Sequence, residues 1–143
     1  MEIDRNSTLS FLNNAEQYFD AAQIIVKNRP VETELITVKL FLLCHSFELY
    51  LKSFLRAKSY STEKLKKEYG HNLEKLFVCV VNLGLDITGL SIDDVKQLNL
   101  YYLSKDLDYT EVGYKQYVIP GEFLNVLQGI AKNIREIITI EEI

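Results

Sequence analysis

Apolar residues recur along the start of the chain at intervals of three and four. Leu9, Leu12, Ala15, Phe19, Ala22 and Val26 form one stripe at this period, which is that of a helix face. Phe11, Tyr18 and Ile25 form a second stripe beside it. So wide a face suits a helix packed in a bundle. The pattern predicts a helix from Ser7 or Thr8 to Lys27. Asn28-Arg29-Pro30 ends it, because proline cannot extend the hydrogen-bond ladder.

A second helix is predicted from about Glu32 to Lys58, and it is apolar almost all round. Leu40, Phe41, Leu42, Leu43, Phe47, Leu51 and Phe54 cover every direction. Such a helix lies at the centre of a fold or at a subunit interface. The polar stretch 59–70 follows, with room for a helical turn over Ser61–Tyr69. A third helix is predicted from His71 or Asn72 to Leu83, stopped by Gly84. Ser91 caps a fourth, whose inner face is Val95, Leu98 and Tyr102. Residues 105–119 break the pattern and predict an ordered loop, with a short β-like ribbon as one form of it. Pro120 then opens a last helix built on Phe123, Leu127, Ile130, Ile134 and Ile137. The expectation is a single all-α domain over residues 1–143, an up-and-down bundle of four to five helices with one long loop before the last.

One feature of the second helix bears on chemistry. His45, Glu48, Lys52 and Arg56 fall within about one 80° sector, at ~100° per residue. Glu48 precedes Lys52 by four residues, the favoured order for an ion pair. The stripe admits three placements: a solvated edge, a dimer seam or the wall of a groove. In a groove, a carboxylate, an amine and an imidazole can bind a phosphate or a base edge, or move protons. His71, the second of two histidines, follows Gly70 at a helix start. It either caps and packs there or faces the same groove. Tyr109 lies in the long loop, where it either packs over the bundle end or joins the site.

Composition narrows the classes. The net charge of −4 argues against general nucleic-acid affinity. Residues 52–75 nevertheless hold seven basic residues against three acidic, enough for a local basic patch or a solvated helix end. Cys44 and Cys79 sit in apolar surroundings without a CxxC spacing, which predicts reduced, buried thiols in a cytoplasmic protein. Two histidines and two such cysteines make a poor ligand set, so no metal and no cofactor are expected. The polar start MEIDRNSTLS is unlike a signal peptide, and no apolar run approaches the ~18 residues of a membrane span.

Three short motifs, in order, resemble the HEPN domain family. Glu48-Leu49-Tyr50-Leu51-Lys52 is similar to its E-x-x-LK signature. Gly70-His71-Asn72-Leu73-Glu74-Lys75-Leu76 is similar to its G-H-x-L-x-x-L helix start. Asp108-Tyr109-Thr110-Glu111-Val112-Gly113 resembles its R-Y-x-x-x-G loop. The likeness spans roughly residues 8–138. It implies a helical bundle, commonly a homodimer. It also implies either a metal-independent RNA endonuclease or a non-catalytic member that binds nucleotides. Members of the second kind accompany nucleotidyltransferases and toxin–antitoxin or phage-defence systems.

The chain departs from the nuclease pattern twice. Neither His45 nor His71 has an arginine four to six residues upstream; Lys39 and Lys66 are cations that could supply charge there. Lysine lacks the planar two-pronged phosphate grip. Asp108 stands where the loop's arginine would be. The leading expectation is therefore a non-catalytic domain binding a nucleotide or partner through His45, Glu48, Lys52, His71 and Tyr109. The alternative is a divergent ribonuclease using His45 or His71 as general acid or base. A third reading is a purely structural protein.

Overall fold

A computed structural model describes residues 7–104 and 118–141 of the chain. Regular structure among them is entirely helical: α1 (Thr8–Asn28), α2 (Ile36–Ala57), α3 (Thr62–Lys64), α4 (Leu73–Asn82), α5 (Ile92–Ser104) and α6 (Pro120–Glu141). The all-α bundle agrees with the hydrophobic pattern, but the expected four to five helices must be corrected. Six are present among the described residues. The additional one is α3, a single turn that runs directly into a π-helical turn, Leu65–Tyr69. Ser61 starts it by accepting a hydrogen bond from the Lys64 amide at 3.0 Å. Leu65 anchors the segment in the core, so a polar connection is held helical by one cap and one buried leucine. The expected loop and ribbon of 105–119, and Tyr109 within it, lie outside the described residues except for Val118 and Ile119.

Local chemistry explains most boundaries. Ser7 caps α1 by accepting from the Ser10 amide at 3.1 Å. Asn72 caps α4 through the Lys75 amide, also at 3.1 Å. Ser91 and Asp94 cap α5 reciprocally: each side chain accepts from the other's amide, at 3.1 and 3.0 Å. Gly84 stops α4 with φ +92, while the Leu85 amide reaches back to the Val80 carbonyl at 3.0 Å. This is the left-handed glycine stop that a side chain would strain.

The start of α2 is later than Glu32. Leu35 takes a left-handed φ of 54, and the Glu34 amide closes a turn onto Val31. The buried Lys39 ammonium holds this turn to the end of α1, donating to the carbonyls of Arg29 (2.5 Å) and Val31 (2.9 Å). A cation suits that position, where helical carbonyls lack partners.

Helix α2 is the common wall of the bundle. It packs on α1 and α6 to one side and on α4 and α5 to the other. Leu43, Phe47, Tyr50, Leu51, Phe54 and Leu55 along it are all buried. Phe47 meets Phe123 of α6 edge to face, with ring centroids 5.7 Å apart. On the α1 side, the Ser46 hydroxyl donates to the Ala15 carbonyl at 2.9 Å. Tyr50 donates to Glu16 at 2.5 Å, and Arg135 of α6 closes on the same carboxylate at 2.7 Å. Leu9, by contrast, is exposed and stands off the expected stripe. Cys44 is buried and Cys79 half-buried, and neither is in a disulfide. No helix among the described residues is long and apolar enough to cross a membrane.

A candidate carboxylate–imidazole site

The polar stripe of α2 faces α4 and α5, and its centre is sealed. Glu48 is 1% exposed and Lys52 8%, so this part of the stripe is not a solvated edge. The Lys52 ammonium lies 2.8 Å from Glu48 Oε2, one helical turn away as the spacing predicts. Tyr102 of α5, itself buried, donates its hydroxyl to Glu48 Oε1 at 2.6 Å. His71 brings Nδ1 to within 2.9 and 3.0 Å of the two carboxylate oxygens from the turn before α4. His45 reaches the same group through an intermediary, its Nδ1 lying 2.5 Å from the Tyr102 hydroxyl. Two helices, α2 and α5, and one turn thus converge on a single buried carboxylate.

His71 is held in register by its neighbours. Gly70 has φ +52, which turns the chain before α4. Asn72 then caps the helix, and Asn99 of α5 ties this corner down. The Asn99 carbonyl oxygen accepts from the Leu73 amide at 2.8 Å, and its amide donates to Asn72 at 3.1 Å. The imidazole remains open to solvent, with 63% of its side chain exposed.

Burial by itself would push the Glu48 carboxyl up. The Lys52 charge and the hydrogen bonds from Lys52, Tyr102 and His71 outweigh it and hold the group below the usual carboxylate range. Burial, then the adjacent Glu48 charge and hydrogen bond, push the Tyr102 hydroxyl up, so it stays a donor. The sign of the pH dependence follows. A carboxyl depressed by folding contributes stability above its unfolded range, and that stability is lost as pH falls through the folded value. Denaturation midpoints measured from about pH 7 down to about pH 3 should therefore fall more steeply in the wild type than in Glu48→Gln.

Beside this network lies a pocket of about 290 Å³ lined by Phe41, His45, His71, Tyr102 and Leu103. Phe41 is nearly parallel to the His45 ring, with centroids 5.9 Å apart. On its far side His45 meets Tyr18 of α1 edge on, at 4.3 Å. His45 also lines a second groove there, with Asn14, Gln17 and Tyr18. An apolar cavity of about 330 Å³ adjoins Phe41 and Tyr102, with Val38, Leu40, Cys44 and Tyr101 in its wall. Burial drives the Cys44 thiol far up, leaving it protonated and inert.

Of the residues chosen from sequence, His45, Glu48, Lys52 and His71 come together. Arg56 does not: its guanidinium donates to the Tyr60 carbonyl at 3.1 Å, where α2 ends. Lys39, a candidate phosphate contact, binds backbone carbonyls, and Lys66 is exposed on the π-helical turn. Tyr109 lies outside the described residues. The spacing of Val95, Leu98 and Tyr102 makes Tyr102 a core residue, and the structure adds that it links the two histidines. Its signal was available, because a buried tyrosine needs a partner for its hydroxyl. No group of three or more His, Cys, Asp or Glu among the described residues is placed to hold a metal.

The fold and site together define an all-α bundle domain with a carboxylate-backed pair of imidazoles in a small aromatic pocket. No protein-family model matches the chain, and comparisons with curated proteins and with solved structures find no significant counterpart.

Proposed function

We propose that this chain is a non-catalytic, HEPN-like domain that binds a nucleotide through its base. The observation that carries this reading is the pocket between Phe41, His45, His71, Tyr102 and Leu103. It offers aromatic faces for stacking and imidazole nitrogens for the base edge. The nearby Lys52 ammonium is engaged by Glu48 and nearly buried, so base recognition is favoured over a phosphate grip. The order of the E-x-x-LK and G-H-x-L-x-x-L motifs supports the family assignment. In this reading the domain works in the cytoplasm as a homodimer. It serves a nucleotidyltransferase, toxin–antitoxin or phage-defence system, with a nucleotidyltransferase or antitoxin as partner.

Titration calorimetry with the four ribonucleotides tests it. At least one should bind, and Phe41→Ala should weaken binding about tenfold, the lower end of what a stacked base contributes. Absence of binding by all four at about millimolar concentration, well beyond a typical specific affinity, would sink the reading.

The alternative, a metal-independent ribonuclease, is favoured by one observation: two imidazoles share a pocket beside a carboxylate. Single-stranded RNA should then be cut without added metal, and His45→Ala or His71→Ala should abolish the cut. Cleavage that persists unchanged in both variants excludes it.

A further inference from the structure

The hydrogen bonds around Glu48 can be assigned proton by proton. Glu48 is paired with Lys52 at 2.8 Å, and an ionised carboxylate has no proton to give. Every group that touches it must donate. Tyr102 has one hydroxyl proton, and it goes to Glu48 Oε1. The Tyr102 oxygen is then only an acceptor toward His45, so the proton in that contact belongs to His45 Nδ1. His71 meets the carboxylate directly, so its Nδ1 is also the protonated nitrogen.

We propose that Glu48 is a positioning residue that sets both imidazoles in the Nδ1–H tautomer, His71 directly and His45 through the Tyr102 hydroxyl. Each neutral ring then carries its lone pair on Nε2, the nitrogen away from the carboxylate. Free histidine favours the opposite tautomer, so the arrangement is imposed by the fold. The consequence is a chemical class of ligand. His71, open to solvent at the pocket mouth, presents an acceptor and takes a group bearing an N–H or O–H donor. For a base this means an exocyclic amino group or a ring N–H. This last step rests on the base-binding reading above; the tautomer assignment does not.

Long-range proton–nitrogen NMR of the ring nitrogens tests the assignment in the ligand-free protein, above the imidazole titration range. Both rings should show a protonated Nδ1 and a bare Nε2. Tyr102→Phe should release His45 to the Nε2–H form and leave His71 unchanged, a split that general loosening of the fold would not produce. An Nε2–H ring at either position in the wild type overturns the proposal, as does a His45 indifferent to Tyr102→Phe. Adenosine, which carries an amino donor, should then move the His71 Nε2 resonance selectively. If the tautomers hold and none of the four ribonucleosides moves it, the positioning role of Glu48 stands and the base-binding reading falls.

Discussion

Glu48→Ala should lower the stability of this protein by about 3–5 kcal/mol, the cost of stranding one member of a buried ion pair. The loss comes from what remains. Lys52 is 8% exposed and loses its partner. The Tyr102 hydroxyl loses its acceptor, and His71 loses its tether. Urea denaturation reads the change directly as a shift in midpoint. The origin of the loss can be separated from packing. A triple variant, Glu48→Leu with Lys52→Met and Tyr102→Phe, removes the charges and the hydroxyl together. It should recover most of the stability, because a buried ion pair replaced by apolar groups of similar volume is often neutral or better. A triple variant as unstable as Glu48→Ala would show that shape, not charge, governs the site. On the base-binding proposal, the recovered protein should not bind nucleotide.

The second large effect lies on the opposite side of α2. Phe47→Ala should cost about 3–5 kcal/mol by opening a cavity where Phe47 meets Phe123. Both rings are essentially unexposed, so neighbouring side chains have little freedom to collapse into the space. Phe47→Leu should cost clearly less, since most of the volume stays. Equal losses in the two variants would mean that edge-to-face ring contact, and not volume, dominates. On the base-binding proposal, the Phe47 variants should keep nucleotide affinity once folded, unlike Glu48→Ala. Titration calorimetry at low temperature distinguishes them.

Much of this arrangement was legible in the sequence. Apolar spacing located the long helices, and serine, asparagine and glycine at their ends located the stops. Periodicity placed His45, Glu48 and Lys52 on one face, because neighbours on a helix follow from spacing alone. It could not say whether that face was wet. Burial of Glu48 depends on α5, which lies 54 residues away from it at Tyr102. The role of Tyr102 is long-range in the same sense, and tyrosine at an inward position reads first as packing. Arg56 met the same spacing rule but sits at the helix end, where the Tyr60 carbonyl engages it. Lys39 stands in the sequence as a cation upstream of His45, and its burial is not legible there because lysine is usually exposed. Only the left-handed turn at Leu35 brings the carbonyls of Arg29 and Val31 within its reach. A helical turn over Ser61–Tyr69 was legible, but α3 stood outside the four-to-five count because a single capped turn carries no periodicity.

The position of α2 as a shared wall has a bearing on how the molecule opens. Helices α1 and α6 pack on one of its flanks, and α4 and α5 on the other. The first group is joined by Tyr50, Glu16 and Arg135, the second by Glu48, Tyr102 and His71. Each flank therefore has its own polar latch, and the two latches answer to different groups. Acid that protonates Glu48 removes the acceptor that ties α5 and the His71 turn to α2. Loss of that latch would quicken amide exchange in α4 and α5 and open the molecule at the pocket.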